Sequence, residues 1–441
     1  MAKKLVPPAN GPSPTRMLEQ LLKERLIGQD RAINEIVRSF EIYYAGIKNP
    51  EHPIATLAFF GPTGTGKTLA AKVLASCFKK HWVWRCSRYQ ECQIEYTEAD
   101  RRAGIQVPTF CPRHKGNLRI KKMEVPNLWR INCGTMSGSQ GHAVANLLGS
   151  PTGYVGHDST PPRLVGGKAP RVVLFDEAEK ALLTESWNGG GSDFANVLLE
   201  ILDEGKIVNN LGEVVDFTNS IIILTGNLGA KEILKEFSNK LGFSTPDQPP
   251  RKDFSKMTDE EIARINQNIY TTVKEKAERE LAPEFLNRLD RLIVFHFLTR
   301  RDYAQILDIE IAKVVKIVER AVKAGRVPPF VFTFSTKAID FLVNESMSDR
   351  LSGGRSLVRK LAKLTVAELA KLINARIIKE GDHLEARIAK GTDDDGKPEE
   401  KIIFYRLPPS EDKLLLKPPE PAPPPKADLP QAEKGPEGGD A

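Results

Sequence analysis

The chain has 441 residues, of which 40% are hydrophobic and 27% charged, so it is long enough for two or three domains with sizeable cores. Because no run of about 18 apolar residues is present and no apolar stretch follows the first lysines, we expect neither a membrane span nor a secretory signal. Five cysteines in so long a chain argue against a disulfide scaffold and favour a reducing, cytoplasmic location.

The composition changes along the chain and divides it into segments. Residues 1–15 predict a flexible lead, and the proline-rich residues 408–441 predict a disordered tail. Over residues 16–298, short apolar runs alternate with helical patterns, which predicts an α/β domain whose parallel sheet is flanked by helices. Residues 79–126 interrupt this rhythm as a basic insertion, and residues 299–407 predict a smaller domain of helical and α+β character.

Hydrophobic periodicity predicts the individual elements. The predicted buried strands are 54–60, 128–133, 171–176 and 220–227. Helical patterns cover 16–47 and dominate 256–325, and apolar residues between Phe194 and Leu202 recur on one face of a helix. Two further strand-like runs, HLEARI and EKIIFYRL, close the smaller domain.

A glycine-rich sequence follows the first predicted strand and precedes a helical stretch. GPTGTGKT fits the pattern G-x-x-x-x-G-K-[ST] in the strand–loop–helix context that the pattern requires, and we call it the P-loop. Its glycines let backbone N–H groups surround phosphates, Lys67 supplies a positive charge, and the Thr68 hydroxyl can bind Mg²⁺. The sequence therefore predicts ATP binding by Gly61, Pro62, Thr63, Gly64, Thr65, Gly66, Lys67 and Thr68.

Polar side chains end two of the predicted strands. Asp176 and Glu177 follow an apolar strand; Asp176 is predicted to hold Mg²⁺ with Thr68, and Glu177 to polarise an attacking water. Asn227 ends the next apolar strand and can orient that water or sense the γ-phosphate. Acids at a strand end and a turn-forming asparagine are also common without any such function, so the P-loop nearby is what favours catalysis.

These residues resemble the AAA+ ATPases, and more narrowly the Clp unfoldases of that family. The similar motifs are LIGQDRAI, GPTGTGKT, GSPTGYVG, VVLFDEAEKA, LLEILDEGKI, VDFTNSIIILTGNLG, LAPEFLNRLD and GGRSLVRKL, within roughly residues 16–78 and 127–395. The resemblance implies a large AAA+ domain followed by a small lid domain, and a homo-hexamer that binds ATP and Mg²⁺ between subunits. It also implies that Ile27 contacts the nucleotide.

Two arginines match family arginines that act in catalysis. Arg288 matches the arginine finger, which would reach a neighbour's γ-phosphate, although charge alone favours a surface arginine paired with Asp290 or Glu284. Arg355 matches the second sensor arginine of the lid domain. At 353–355 this chain has GGR where the family usually has GAR.

One loop is implied to contact protein substrates. Gly153, Tyr154, Val155 and Gly156 match the family's pore loop, in which flanking glycines give flexibility and the aromatic ring grips an extended polypeptide. The alternative is a tyrosine packed on its own loop.

A second loop is implied to contact a peptidase. Leu241, Gly242 and Phe243 resemble the apolar-Gly-apolar loop with which some Clp unfoldases dock on a barrel-shaped Clp-type peptidase. The alternative is a loop held against the protein's own surface.

The insertion carries cysteines and much of the chain's positive charge. Cys86, Cys92, Cys111 and His114 can complete a tetrahedral zinc site, and free cysteines in a mobile loop are the alternative. Because a short, loop-rich insertion has little core of its own, a structural Zn²⁺ could staple it. From 79 to 124 there are eleven Lys or Arg and five Asp or Glu, a net charge of +6.

The sequence therefore predicts an ATP-dependent protein unfoldase or chaperone that threads polypeptide substrates through a hexameric ring and can feed a Clp-type peptidase. The alternative is an AAA+ motor that remodels nucleic acid through the basic insertion. The GYVG loop favours the first function, whereas Trp82, Trp84 and Tyr89 in the insertion keep the second open.

Overall fold

The structure is a computed structural model of the chain. It describes residues 14–47, 49–78, 81–87, 95–97, 101, 104–114, 118–125, 127–135, 144, 147–149, 164, 167–168, 171–182, 193–229, 257–392 and 398–408. The predicted lead before Pro14 and the predicted tail after Pro408 lie outside these residues.

Helices and strands alternate along the first two thirds of the chain. The helices are α1 Pro14–Arg25, α2 Asp30–Tyr44, α3 Lys67–Cys77, α4 Glu179–Leu182, α5 Asp193–Glu204, α6 Asp259–Glu280, α7 Pro283–Asn287, α8 Arg300–Lys323, α9 Thr336–Met347, α10 Gly354–Leu361 and α11 Ala367–Asn374. The strands are β1 Ala55–Phe60, β2 His81–Cys86, β3 Glu95–Thr97, β4 Ile120–Val125, β5 Leu128–Asn132, β6 Gly167–Lys168, β7 Val172–Asp176, β8 Lys206–Val208, β9 Val214–Asp216, β10 Ile221–Gly226, β11 Arg291–Val294, β12 Val331–Phe334, β13 His383–Thr392 and β14 Pro398–Arg406.

The central sheet consists of five parallel strands in the order β11-β1-β10-β7-β5. Every residue of β1, β7 and β10 is buried, which explains why these strands read as unbroken apolar runs. The four predicted strands 54–60, 128–133, 171–176 and 220–227 are confirmed as β1, β5, β7 and β10.

Helices cover both faces of this sheet. Leu57 and Phe59 of β1 pack in a core with α1, α2 and α3, whereas Ala58 and Phe60 pack in a second core with α5 and α6. Successive residues of a strand face opposite sides of a sheet, so both cores draw on the same strands. The predicted fold class, a parallel sheet flanked by helices, is confirmed.

Residues after Phe297 build cores of their own. Leu298, Tyr303 and Leu307 pack with α9 and α10, and Phe332 and Leu384 form a neighbouring cluster with α11. The strands form a sheet in the order β12-β13-β14, with β12 parallel and β14 antiparallel to β13. This part of the chain has the helical and α+β character that the sequence predicted.

Two helical patterns of the sequence differ from the structure. The helical pattern over 256–325 also contains β11, a four-residue edge strand whose short apolar run lies between two helices. The pattern over 16–47 is two helices, because the chain turns between them at residues 26–28, where Gly28 has a φ of +72°. The buried Gln29 side chain donates to the His296 carbonyl at 3.0 Å and accepts from the His296 amide at 2.9 Å.

The insertion is more ordered than its composition predicted. Its strands form an antiparallel sheet in the order β3-β2-β4, in which Cys86 is opposite Ile120. A short 3₁₀ helix, Pro112–His114, precedes β4. Among the helices of the described ranges, none combines the length and the apolar character that crossing a bilayer requires.

Candidate functional site

A cavity of about 730 Å³ lies between the carboxyl ends of the central strands and the part of the chain after Phe297. Ligands of α/β proteins bind at this end of a parallel sheet. Most of the residues predicted to bind or hydrolyse ATP line this cavity: Ile27, Thr63, Gly64, Thr65, Gly66, Lys67, Thr68, Asp176, Glu177, Asn227 and Arg355.

Lys67 lies at the first position of α3 and points back into the P-loop. Its Nζ donates to the carbonyl oxygens of Gly61 at 2.8 Å and Pro62 at 2.7 Å, and to Oδ1 of Asn227 at 3.0 Å. Gly61 and Pro62 therefore hold the Lys67 ammonium with their backbone carbonyl oxygens. Burial is the largest influence on this ammonium and lowers the pKa of Lys67 to about 7, although Glu179 opposes it.

Asp176 ends β7 and accepts hydrogen bonds from three side chains. Thr68 Oγ1 lies 3.3 Å from its Oδ1, Thr225 also donates to Oδ1, and Arg130 donates to Oδ2 with Nε at 2.8 Å. Burial alone would raise the pKa of Asp176, but the hydrogen bonds from Thr225 and Arg130 hold this pKa below its ordinary value. Asp176 is therefore an ionised oxygen donor beside Thr68.

Glu177 has an uncommon backbone conformation. Its φ is +58°, a left-handed value that a non-glycine residue adopts at a cost, and its amide donates to Thr225 Oγ1 at 3.2 Å. The carboxylate is partly exposed and accepts from Lys180 Nζ at 2.6 Å. Glu177 lines the cavity, and the ion pair with Lys180 holds its carboxylate there.

Glu179 is a site residue that the sequence analysis missed. Its Oε1 accepts from the backbone amide of Asn227 at 3.1 Å and from Asn227 Nδ2 at 3.4 Å, while its Oε2 is buried with no hydrogen-bond partner among the described residues. Burial raises the pKa of Glu179 above its ordinary value. The sequence DEAE at 176–179 indicates a cluster of acids, but only the pairing of β7 with β10 shows that Glu179 reaches Asn227.

The P-loop touches the start of α10 backbone to backbone. The Gly354 amide donates to the Gly64 carbonyl at 2.9 Å. Gly353 has a φ of +54°, and a Cβ there would lie 2.7 Å from the Thr63 carbonyl oxygen. A Cβ on Gly64 would lie 2.0 Å from the Ser352 carbonyl oxygen. This close approach places Arg355 in the cavity wall.

Apolar residues also line the cavity. Leu26 directly follows α1, Leu298 precedes α8, Ile306 and Ile309 belong to α8, and Val358 belongs to α10. The sequence analysis missed these residues because their apolar positions are indistinguishable from ordinary helix-packing positions. Together they form an apolar surface that a flat aromatic base can contact.

Arg288 lies apart from this cavity. Its guanidinium forms an ion pair with Asp203 at the end of α5, and the side chain is 45% exposed. The surface alternative predicts Asp290 or Glu284 as the partner, whereas the partner in the structure is Asp203. Asp290 instead accepts from Thr56, with its Oδ2 2.6 Å from the Thr56 amide.

The predicted loops lie outside the described residues. This applies to the GYVG residues, to the Leu-Gly-Phe residues and to one cysteine of the insertion, namely Gly153, Tyr154, Val155, Gly156, Leu241, Gly242, Phe243 and Cys92.

Three of the four predicted zinc ligands converge. His114 Nδ1 lies 3.3 Å from Cys111 Sγ and 3.6 Å from Cys86 Sγ, and all three ligand atoms lie within 4.8 Å of one another. Both thiols are buried, with Leu118 and Ile120 packed against them. A sulfur and a nitrogen on one tetrahedral zinc lie about 3.6 Å apart, so these spacings fit a metal.

Comparison with known proteins gives the family. The model of the AAA domain (Cdc48 subfamily) matches residues 52–292. The chain is 31% identical over 368 residues to the chloroplastic ATP-dependent Clp protease ATP-binding subunit ClpA homolog of Brassica napus, which covers 83% of this chain and 33% of that protein. It is 30% identical over 390 residues to the chloroplastic chaperone protein ClpC of Pisum sativum, covering 86% and 33%.

A bacterial relative shows the same pattern. The chaperone protein ClpB of Oceanobacillus iheyensis is 27% identical over 382 residues, covering 86% of this chain and 37% of that protein. The chain thus spans about a third of the length of the curated relatives it matches. It belongs to the AAA domain family, in its Cdc48 subfamily, and to the Clp branch of the AAA+ ATPases.

Proposed function

We propose that this chain hydrolyses ATP in the cavity beside the P-loop and uses the energy to pull polypeptides through a ring of six copies. The observation that carries the proposal is the convergence of Lys67, Asp176, Glu177, Asn227 and Arg355 on one cavity. This set contains a phosphate-binding cation, a metal-binding acid, a candidate base and two polar groups for the γ-phosphate.

The residues around Asp176 fit a magnesium ion. Thr68 Oγ1 and Asp176 Oδ1 are hard oxygen donors 3.3 Å apart, close enough to share one coordination sphere directly or through water. Bound Mg²⁺ would supply positive charge to the phosphates. Arg130 neutralises Asp176 in the structure, so we propose that it partly releases Asp176 Oδ2 when nucleotide and metal bind.

Glu177 is the proposed general base. Its carboxylate forms an exposed ion pair with Lys180, which is weak and can open at little cost. Released from Lys180, Glu177 would accept the proton of a water that attacks the γ-phosphorus. Asn227, held by Glu179 and Lys67, would orient that water.

Arg288 is proposed to act on a neighbouring copy. Because it is half-exposed and outside its own cavity, its own nucleotide is not its partner. In a ring it would exchange Asp203 for the γ-phosphate of the adjacent subunit and stabilise the charge of the transition state. Arg355, which lines its own chain's cavity, would report the γ-phosphate bound there to the small domain.

The substrates and partners are further proposals. Polypeptide would be gripped by Tyr154, with Gly153, Val155 and Gly156 in the same loop. Relatives are named as ATP-binding subunits of the ATP-dependent Clp protease and as chaperone proteins. We propose a Clp-type peptidase as a partner, contacted by the loop Leu241, Gly242 and Phe243, and the cytoplasm as the location.

One observation supports a second candidate, a motor acting on nucleic acid. The Trp84 ring lies beneath Arg101 Cζ at 4.9 Å and near Lys122 Nζ at 5.4 Å, an aromatic and cationic combination that suits single strands. ATPase activity stimulated by a single-stranded oligonucleotide, but not by an unfolded protein, would favour this candidate.

The Tyr154→Ala variant tests the unfoldase. It should hydrolyse ATP at a rate within about twofold of the wild type, because the P-loop is unchanged. It should lose most of its unfolding activity on a tagged fluorescent protein, because the aromatic ring of Tyr154 is proposed to grip the substrate polypeptide. Tyr405→Ala, at an exposed tyrosine of β14, is the matched control and should unfold normally.

Two further variants complete this test. Glu177→Gln should bind ATP but lose both hydrolysis and unfolding. Leu241→Ser with Phe243→Ser should unfold normally and fail only in degradation with a Clp peptidase present. Normal unfolding by Tyr154→Ala would refute the pore-loop role.

The low pKa of Lys67 gives a proton-linkage prediction. With a pKa of about 7, Lys67 is mostly neutral at pH 8, and a bound triphosphate should restore its proton. Calorimetric titration with MgATP in two buffers of different ionisation enthalpy should therefore show uptake of close to one proton at pH 8. At pH 6 Lys67 is already charged, and little uptake is expected. Equal uptake at both values would contradict the assignment.

We also propose that the insertion binds a structural Zn²⁺ through Cys86, Cys111 and His114, with Cys92 as the fourth ligand. The ligand spacings described above and the burial of both thiols support a closed site. Zinc there would fix the 3₁₀ helix against β2.

Elemental analysis tests this site. Protein purified under reducing conditions should contain about one zinc per chain, and Cys111→Ser should lose most of it. Cys77→Ser, at an exposed cysteine of α3, should retain the metal as the matched control. Wild-type protein that contains no zinc would contradict the proposal.

A further inference from the structure

The hairpin formed by β8 and β9 has an unusual tip. Asn209 and Glu213 lie between the two strands and are only 3% and 6% exposed. Amides and carboxylates are seldom buried unless they hold other groups in place. Neither residue contributes to the ATP cavity, so their burial calls for another explanation.

The Asn209 side chain uses both ends of its amide. Its Oδ1 accepts from the amides of Leu211 at 3.0 Å and Glu213 at 2.9 Å, which shapes the hairpin tip. Its Nδ2 donates to Glu213 Oε2 at 2.9 Å and to the Leu164 carbonyl at 3.0 Å. The amide therefore ties the hairpin to a residue far away in the sequence.

The next residue holds a second segment. The Asn210 amide donates to the Leu148 carbonyl at 2.9 Å, and its side chain donates to the Gly149 carbonyl. Leu164 in turn donates its amide to the Leu147 carbonyl at 3.0 Å. The chain thus leaves the hairpin at Gly149 and returns to it at Leu164, with both ends fixed side by side.

Burial reinforces these contacts. Leu147 and Leu164 are both fully buried in the core that also contains the inner residues of β10. After Leu164 the chain forms β6, which pairs with β9 in parallel. Residues 150–163, which include the GYVG sequence, therefore start and end on the same hairpin.

The hairpin is also followed in the chain by β10, which ends beside the P-loop. A tight turn joins β9 to β10: Asp216 accepts from the Thr218 amide at 2.9 Å. At its far end β10 carries Thr225, which contacts Asp176 and Glu177, and is followed by Asn227, which contacts Lys67. One continuous piece of chain thus bears both the loop anchor and the residues that contact Lys67 and Asp176.

We propose that Asn209 and Asn210 are positioning residues that fix both ends of residues 150–163 to the strand leading to Thr225 and Asn227. If ATP hydrolysis shifts that strand, the fixed ends of residues 150–163 would carry the movement into the loop. Without this anchor, the residues at the loop ends could adjust and the loop would stay in place. This step rests on the proposed gripping role of Tyr154, whereas the anchor itself does not.

Hydrogen exchange tests the anchor without any substrate. In Asn209→Ala the amides of Asn210 and Leu164, which donate to Leu148 and Leu147, should exchange about tenfold faster, because the hydrogen bonds that close the loop base are weakened. Asn219→Ala, at an exposed asparagine of the same hairpin-to-strand turn, should leave both rates unchanged. Unchanged exchange in Asn209→Ala would overturn the anchor.

Coupling is then measured as unfolding events per ATP hydrolysed. Asn209→Ala should keep its ATPase rate within about twofold and lose at least about fivefold in this ratio. An unchanged ratio would overturn the transmission role. If the wild type unfolds nothing, the proposed function fails and the exchange data still judge the anchor. Should Asn209→Ala not fold, Asn210→Ala, at a less buried residue, replaces it in both measurements.

Discussion

The contact between the P-loop and the start of α10 is the constraint on which the site depends. At Gly64 and Gly353 the two backbones meet with no side chain between them, and both glycines have positive φ. The two walls of the cavity belong to different hydrophobic cores, so this contact sets their separation. Residue 354 is less confined: a Cβ there would lie 3.3 Å from the Gly64 carbonyl oxygen, which a small shift can relieve. The alanine usual in the family therefore fits at 354 but not at 353.

A second set of contacts orients the reactive side chains. Thr225 donates to Asp176 and accepts from the Glu177 amide, which locks the ends of β7 and β10 together. Glu179 accepts a hydrogen bond from the Asn227 amide, and Lys67 of the P-loop donates one to the Asn227 side chain. Buried polar groups need partners, and the partners of Asp176, Lys67 and Asn227 include other residues of the site, whereas Glu179 Oε2 has none among the described residues. Nucleotide binding must therefore rearrange several contacts together.

The sequence predicted those features that consecutive residues determine. Local patterns predict the P-loop, the acids at the end of β7 and the four buried strands. The family resemblance adds Arg355 and Ile27. The roles of Arg130, Thr225 and Glu179 could not be read in this way, because they depend on β5, β7 and β10 being neighbours in the sheet. The edge strand β11 was missed because four residues between helices carry no periodicity. The clustering of Cys86, Cys111 and His114 agreed with their spacing, whereas the sheet that positions them was not foreseen.

The affinity of the Gly353→Ala variant for ATP tests the central claim most directly. The added methyl group would overlap the P-loop carbonyls, so we expect affinity for a fluorescent ATP analogue to fall at least about tenfold. Gly325→Ala is the matched control, since Gly325 has a φ of +68° with nothing within 4 Å of its added Cβ. It also adds a Cβ to a glycine of positive φ, but without the contact, and should bind within about twofold of the wild type. Equal affinities of the two variants would contradict the view that this backbone contact builds the site.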